Sequence, residues 1–344
     1  SPRSANGQAY TAPTPKVTAS EPHGYKTAPF TVALACEEAP DAPIRYTVDG
    51  SVPGLLSPLY TAPLTVTRTT VLRAAVVDPA SLKMNVKTVT WLFLEDILQQ
   101  GASAPEGWPT NRQVNSHVME YGMRQTVVTG DPARLRNGMT NAIPTLSLVT
   151  DLTNLFSAAH GIYVNPGNDG IAWERPVAVE LIDPVRGSNY EFRIDAGLRI
   201  RGAYSRSVTN PKHSFRLFFR SDYGESKLKF KLFDDEGADS FDKVDLRTSQ
   251  NYSWAFANST LETFIRETFS RDIQRDMGMP YTRSRFYHLY LNGQYWGLYQ
   301  TEERGDADYA QTYLGGRSED WDCIKTTSPG YTTTASDGTF DAFY

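Results

Sequence analysis

The chain has 344 residues, a length that favours two domains over one. Its composition, 40% hydrophobic and 21% charged residues, is typical of a globular protein. The formal net charge of −5 excludes a general attraction to nucleic acid, so any anion site must be local. The sequence has no apolar run of about 18 residues, and no membrane span is predicted.

The two ends of the sequence indicate a piece of a longer chain. Residue 1 is Ser rather than Met, no signal-like segment follows, and residues 332–344 contain no terminating element. We therefore expect residues 1–9 to be the tail of an upstream domain. Cys36 and Cys323 fall in different predicted domains, which favours two buried thiols over a disulfide or a zinc site.

Residues 10–94 are predicted to form a small β-sandwich. Turn residues separate short β-rich runs at 30–34, 44–48, 64–66, 71–76 and 86–93. Short strands at this spacing are typical of a sandwich. The segment contains no acid pair, metal cluster or nucleophile constellation, so a spacer or binding module is expected.

Residues 95–142 form a polar connector with a short helix near 95–99, and residues 143–344 have an α+β pattern. A connector of this length without periodicity is expected to wrap a neighbouring domain. The elements predicted after it are strands at 144–149, 175–182, 190–202, 212–220 and 241–246, a helix at 152–159 capped by Asp151, a helix at 259–277, a hairpin at 285–301 and a helix from Asp306 to Gly315.

The segments 197–202 and 212–220 alternate with a period of two, so side chains of opposite character face opposite sides of a sheet. The apolar side contains Leu198, Ile200, Phe215, Leu217 and Phe219. The other side contains Arg199, Arg201, Lys212, Ser214, Arg216, Phe218 and Arg220. Clustered guanidinium and ammonium groups suit a polyphosphate. A solvated hairpin, kept soluble by its arginines, fits the pattern equally well.

The helix at 259–277 begins with a predicted capping box, Ser259 and Glu262, and ends before Gly278. Its apolar stripe contains Leu261, Ile265, Phe269 and Ile273, with Asp272 and Asp276 inside the same stripe. We expect Asp272 to be buried with a cationic partner, either as a structural ion pair or beside a phosphate site. Glu267 lies opposite the stripe and is predicted to be solvated.

Asn292-Gly293 predicts a two-residue hairpin turn. In that register Leu289 faces Trp296 and Tyr287 faces Leu298. Glu302 and Glu303 follow the strand on opposite faces.

Two resemblances to known families follow from these residues. Residues 44–53, 57–60 and 70–74 resemble the immunoglobulin-like C-terminal domain of chitobiases and β-hexosaminidases. Residues 143–326 resemble the CotH kinase-like family through the motifs GIYVN (161–165), WERP (173–176), GLRIRG (197–202), PKHSFR (211–216), LNGQYWGLY (291–299) and Glu303-Arg304 before Asp306. The first resemblance implies a fibronectin type III-like β-sandwich that is common in exported bacterial proteins. It implies no catalysis.

The second resemblance implies a kinase-like N-lobe with an antiparallel sheet and one long helix. It also implies the family's activity, the transfer of phosphate from ATP to Ser or Thr hydroxyls with Mg²⁺ or Mn²⁺. Lys212 is then the strand lysine on the phosphates, Asp272 its orienting carboxylate, and Glu303 a second supporting carboxylate. Arg199, Arg201 and Arg216 are expected to add phosphate contacts. The segment from Gly202 through Ser205 to Arg206 would cover the phosphates, since no GxGxxG loop is present.

The family's catalytic loop is expected after Tyr344, so the fragment itself is expected to be inactive. The parent is expected to be exported or on the cell surface, with ATP, a protein substrate and cell-surface polysaccharide as partners. An alternative is an adhesion protein that uses the kinase-like region as a binding scaffold. A glycoside hydrolase is a weaker alternative, because no pair of carboxylates stands out for it.

Overall fold

The computed structural model describes residues 15–78, 84–250, 253, 261–326 and 331–333. The chain divides into two compact units, Ser1–Leu94 and Glu95–Tyr344. Both are built mainly from strands, with few helices. None of the helices in the described ranges is long and apolar enough to cross a bilayer.

Short strands make up the first unit. They are β1 (Thr18–Ala19), β2 (Gly24–Lys26), β3 (Phe30–Val32), β4 (Leu34–Ala35), β5 (Ile44–Thr47), β6 (Leu64–Val66), β7 (Thr70–Val76) and β8 (Lys87–Phe93). One sheet has the strand order β2-β8-β7-β5. The pairs β3-β6 and β1-β4 form two further, two-stranded sheets. Val32, Leu72 and Trp91 are fully buried in a shared core. The predicted strands at 44–48 and 71–76 are confirmed, and the unit is consistent with a β-sandwich.

The second unit contains longer strands and the helices. Its strands are β9 (Thr145–Val149), β10 (Arg175–Ile182), β11 (Phe192–Arg201), β12 (Ser214–Phe218), β13 (Leu228–Lys229), β14 (Ser240–Phe241), β15 (Lys243–Thr248), β16 (Ser284–Leu291), β17 (Gln294–Glu302), β18 (Ile324–Thr326) and β19 (Tyr331–Thr333). The helices are α1 (Leu94–Leu98), α2 (Gln125–Gly130), α3 (Pro132–Asn137), α4 (Leu152–Phe156), α5 (Arg266–Asp276) and α6 (Ala307–Leu314), with a π-helical turn at Gly138–Ala142.

Seven strands close into a barrel in the order β10-β11-β12-β15-β17-β16-β9. Neighbouring strands are antiparallel, except that β9 is parallel to β16. Leu198, Phe215 and Leu246 are fully buried and belong to the barrel core. The two-residue alternation therefore directs apolar side chains inward and places the arginines between them on the outer surface.

The hairpin of β16 and β17 turns at Asn292-Gly293, as predicted, with both residues at positive φ. The predicted register holds only near the turn. A bulge between Leu289 and Tyr290 shifts the pairing by one residue, so Leu289 pairs with Gly297 rather than with Trp296.

The bulge changes which side chains of β17 enter the core. Both Trp296 and Tyr299 are buried there. Gly297 between them adopts φ +136°, a conformation that favours glycine.

The segment after α1 packs against the barrel. Gln100 donates to the carbonyl of Tyr295 at 3.0 Å and accepts from its amide at 2.9 Å. Trp108 and Tyr121 lie against Trp296, with ring centroids 5.7 and 6.0 Å away. The connector predicted to wrap a neighbouring domain thus completes one end of the barrel.

Helix α5 begins at Arg266; its predicted cap, Ser259, lies outside the described residues. The prediction of a packed apolar stripe was wrong, because Phe269 is 60% exposed and Ile273 is 42% exposed. The side chains that face the barrel are polar, Glu267 and Arg271 among them. The reason is that α5 lies on the charged outer surface, where a polar helix face finds partners.

Candidate functional site on the outer face of the barrel

The outer face of β11, β12 and β15 holds the predicted arginines. Arg199 pairs in register with Arg216, and Arg216 with Asp245. Residues in register share a face of the sheet. The expectation that Arg199, Arg201 and Arg216 share one face is therefore confirmed, but carboxylates lie among them.

Asp245 on β15 lies between two of these arginines. Its carboxylate accepts from Arg201 Nε at 2.7 Å and from Arg216 Nη2 at 2.9 Å. The Asp245 side chain is only 1% exposed. Burial by itself raises the pKa of Asp245, but the hydrogen bonds and charges of Arg216 and Arg201 outweigh it and lower the pKa. Asp245 therefore keeps its negative charge inside the basic face.

A second group joins β15 and β17 to α5. Arg247 Nη2 lies 2.6 Å from Glu267 Oε1, and Arg271 Nη2 lies 2.7 Å from Glu302 Oε1. Arg247 Nε is also 3.5 Å from Glu302. Gln300 donates to the second oxygen of Glu267 at 3.1 Å. The prediction of a solvated Glu267 was wrong, since this residue anchors the helix to the sheet.

The two groups meet at Glu302, because Arg201 Nη2 lies 3.9 Å from Glu302 Oε2. We call the set made of Arg201, Arg216, Asp245, Arg247, Glu267, Arg271 and Glu302 the charged face. Four guanidinium groups meet three carboxylates in it, which leaves one formal positive charge. A surface of this kind can accept an anion.

Arg199 belongs to a separate arrangement. Its Nη2 lies 2.6 Å from Glu174 Oε2, and Arg220 Nε lies 3.1 Å from the other oxygen. The Glu174 side chain is 1% exposed and packs against Gly197, where a Cβ would lie 2.5 Å from Glu174 Oε1. Glu174, in the WERP motif, thus holds Arg199 in place.

Lys212 lies apart from the charged face. Strand β12 begins only at Ser214, after a bend at Pro211 and Lys212, so the alternation does not extend to the lysine. Lys212 Nζ donates to the carbonyl of Glu120 at 2.7 Å and lies 3.4 Å from the centroid of the Trp296 ring. Burial lowers the pKa of Lys212 to about 7. The structure therefore brings Lys212 to the connector and not to the arginines.

The other predicted site residues have different surroundings. The Asp272 side chain is 47% exposed and pairs with Arg275 at 3.3 Å, so its predicted burial was wrong: the helix turns its opposite side to the barrel. Ser205 Oγ lies against Gly202, where a Cβ would meet it at 2.0 Å. Gly202 has φ +121°, and the tight turn depends on it.

Glu303 is buried, and its Oε2 lies 3.1 Å from Arg283. It lines a cavity of about 70 Å³ beside the start of β15 and α6. Lys243 in that cavity pairs with Asp306 at 3.1 Å and with Asp308 at 2.7 Å. Asp306 also caps α6 by accepting from the amide of Tyr309.

No group of three or more His, Cys, Asp or Glu side chains is placed to hold a metal ion in the ranges that the structure describes. The acidic side chains of the charged face are engaged by arginines instead. No metal ligand is therefore identified among the described residues.

Residues 198–339 match the family model described as CotH kinase protein. Residues 21–89 match the model of the chitobiase/β-hexosaminidase C-terminal domain. Both resemblances, and their order along the chain, are confirmed. No curated protein matches the chain.

The CotH kinase match covers the strands, α5 and the hairpin that carry the charged face. The chain therefore contains a region similar to CotH kinase proteins. The sequence analysis named two arginines of the charged face, Arg201 and Arg216, and missed Arg247 and Arg271. Arg247 could have been found, because it continues the alternation of Lys243 and Asp245 on a strand that was predicted to end at 246.

Proposed function

We propose that the barrel and α5 form the ATP-binding lobe of a phosphotransferase that acts on Ser or Thr hydroxyls of exported proteins. The match to the CotH kinase family supports phosphoryl transfer. The chitobiase-type module supports an extracellular or cell-surface setting.

The observation that carries the proposal is the ion pair between Arg247 and Glu267. In protein kinases a lysine on the third strand contacts the phosphates and pairs with a glutamate of the helix that follows that strand. Here α5 is the helix that follows β15, and Arg247 of β15 lies 2.6 Å from Glu267 of that helix. Arg247 thus takes the place that the sequence had assigned to Lys212.

An arginine in this position suits the task. A guanidinium stays charged and presents a planar set of donors that can bind two phosphate oxygens at once. Glu267 and Glu302 hold Arg247 from two sides and fix the direction of its remaining donors. The formal positive charge of the charged face would offset part of the negative charge of a nucleotide polyphosphate.

The loop after β11 is the segment that we propose to cover the phosphates. It starts at Gly202 and continues through a 3₁₀ turn at Tyr204–Arg206. Arg206 Nη2 donates to the carbonyl of Ile200 at 2.9 Å, which closes the loop over the end of β11. Arg201, the last residue of that strand, brings the loop next to Asp245 and the charged face.

The experiment is ATP binding with Mg²⁺, measured by calorimetry on the 344-residue chain and on two matched variants. Arg247→Met should weaken binding about tenfold to a hundredfold, as expected for the loss of a charge-assisted phosphate contact. Lys212→Met, which removes a contact next to the covering loop but no phosphate contact, should weaken binding much less than Arg247→Met. The reverse ranking would return the phosphates to Lys212, and absence of binding by the unchanged chain would overturn the proposal.

A further inference from the structure

Two buried histidines lie beneath the loop between β11 and β12. His213 Nδ1 lies 2.8 Å from the carbonyl oxygen of Ser205. His213 Nε2 lies 2.5 Å from Nε2 of His117 in the connector. Both histidines are completely buried. The connector therefore reaches the loop through a chain of two imidazole rings.

The hydrogen-bonding capacity of these atoms limits where the protons can be. A carbonyl oxygen only accepts, so His213 Nδ1 must carry a proton to hold Ser205. A neutral imidazole has one N–H, which leaves His213 Nε2 as an acceptor. His117 Nε2 must then be the donor across the pair.

The third contact in the chain is local. His117 Nδ1 lies 2.8 Å from the carbonyl of the adjacent residue, Val118. This contact lies within the connector, whereas the contacts with Ser205 and between the two rings join separate segments of the chain. A neutral pair of imidazoles has two N–H protons, and the two rings make three contacts. We therefore assign one proton to the contact between the rings and the other to the contact with Ser205, because these two contacts link the connector to the loop.

Burial keeps the pair neutral near pH 7. It lowers the pKa of His117 to about 4. It lowers the pKa of His213 to about 3, with smaller contributions from His117 and from the positive charge of Arg206. Tyr163, whose ring packs against both imidazoles, brings no formal charge.

The same stretch of connector holds the loop at a second point. The amide of Val118 donates to the carbonyl of Val208 at 2.9 Å. Lys212, just past the loop, donates to the carbonyl of Glu120. The loop conformation is thus set from beneath, by a segment that lies about 90 residues earlier in the sequence.

We infer that His117 and His213 are positioning residues for the phosphate-covering loop, with His117 Nε2–H donating to His213 Nε2 and His213 Nδ1–H donating to Ser205. The assignment of the loop to phosphate rests on the proposed function; the proton arrangement does not. Losing His117 frees His213 to change tautomer or rotate, and Ser205 then loses its fixed place beside Gly202.

The first test is ¹⁵N NMR of histidine side chains in the unchanged protein near pH 7, which reads each tautomer directly. We expect His213 as the Nδ1–H form and His117 as the Nε2–H form. His288 is an internal reference: it lies between the hydroxyl of Tyr295 at Nδ1 and the carbonyl of Gly138 at Nε2 and should be the Nε2–H form. Finding His213 as the Nε2–H form would overturn the proposed proton arrangement, because the carbonyl of Ser205 would then have no donor.

The second test is amide hydrogen exchange of the loop in variants. The amides of Arg206 and Ser207 donate within the 3₁₀ turn and report its integrity. His117→Phe should speed their exchange about fivefold, the factor that corresponds to one hydrogen bond. His117→Gln should restore protection, since its amide can donate to His213. The control is His160→Phe on the exposed surface. Equal exchange in His117→Phe and the control would overturn the positioning role.

A third measurement separates this inference from the proposed function. The Kd for ATP with Mg²⁺ should rise about fivefold in His117→Phe and return in His117→Gln. If the unchanged chain does not bind ATP, the proposed function fails. The tautomers and the exchange rates still show whether the two histidines position the loop. If ATP binds equally well to all three proteins, the loop is not positioned for phosphate by His117.

Discussion

Asp245 keeps two arginines of neighbouring strands together on the outer face of the barrel. Its side chain is almost completely buried between Arg201 and Arg216. Guanidinium groups so close to each other would repel without a carboxylate between them. The face that the sequence predicted to be basic therefore contains both arginines and carboxylates, and its net positive charge is small.

Removing the negative charge of Asp245 should lower the free energy of unfolding considerably. Asp245→Asn leaves two partly buried guanidinium groups without their counter-charge, and we expect a loss of about 3–5 kcal/mol in the free energy of unfolding. Urea denaturation measures it. Asp242→Asn, at a half-exposed carboxylate paired with Lys227, is the matched control and should change stability by less than about 0.5 kcal/mol. Equal effects of the two substitutions would contradict the role of Asp245.

The stabilisation by Asp245 should depend on pH in the acid range. The pKa of Asp245 is lower in the folded than in the unfolded chain. Its contribution to stability is therefore complete above the unfolded pKa and is lost as the pH falls through the folded one. The difference in stability between the unchanged chain and Asp245→Asn should shrink below about pH 4. A constant difference down to pH 2 would show that the carboxylate charge is not what stabilises the fold.

Lys212 should affect stability at alkaline pH, where stability again rises with pH. Its pKa of about 7 lies below the usual value of 10.5, so the unfolded chain binds more protons between these two pH values. Stability should therefore rise with pH above 7, and Lys212→Met should show less of this rise. Lys229→Met, at an exposed lysine, is the control. Parallel pH curves for the unchanged chain and Lys212→Met would contradict the burial of this amine.

The positions of Arg199, Arg201 and Arg216 could be predicted because a period of two is local information. Asp245 and Glu302 could not be assigned to the same surface, because long-range pairing of β12, β15 and β17 brings them there. Lys212 was misplaced for a related reason: the bend before β12 interrupts the alternation at the residue where it was extrapolated.

At the scale of elements, α5 is attached to the barrel by its polar side. Glu267 and Arg271 face the sheet, and the apolar stripe that usually indicates a core-facing helix side faces outward. Helical periodicity predicted the helix, although not its first turn. It could not predict the orientation, because the surface on which the helix lies is charged.

Two substitutions on α5 test its orientation. Phe269→Ser, on the outward stripe, should change the free energy of unfolding by no more than about 0.5 kcal/mol. Arg271→Met removes a contact with Glu302 and should cost about 1–3 kcal/mol. Thermal and urea unfolding measure both. A loss of about 3 kcal/mol or more in Phe269→Ser, as for a buried phenylalanine, would mean that the stripe faces the core.

At the scale of the whole molecule, sequence motifs placed both modules in the correct order, and the structure adds a closed barrel in the second unit. The barrel could not be foreseen, since its closure depends on β9 pairing in parallel with β16 about 140 residues later. The connector completes the same unit by packing Tyr121 and Gln100 against β17. Parts of the chain that are far apart in sequence therefore build one barrel, and the charged face lies on its outer surface.

We propose that Arg247 and Glu267 act as one phosphate-binding pair, and a double-mutant cycle on ATP affinity measures whether they do. The proteins are the unchanged chain, Arg247→Met, Glu267→Gln and the double variant, with Kd for ATP and Mg²⁺ measured by calorimetry. We predict that Glu267→Gln weakens binding in the unchanged background and has no further effect beside Arg247→Met, a coupling of roughly 0.5–3 kcal/mol. Simple additivity of the two substitutions, or ATP binding unaffected by Arg247→Met, would show that the two residues do not bind phosphate as a pair.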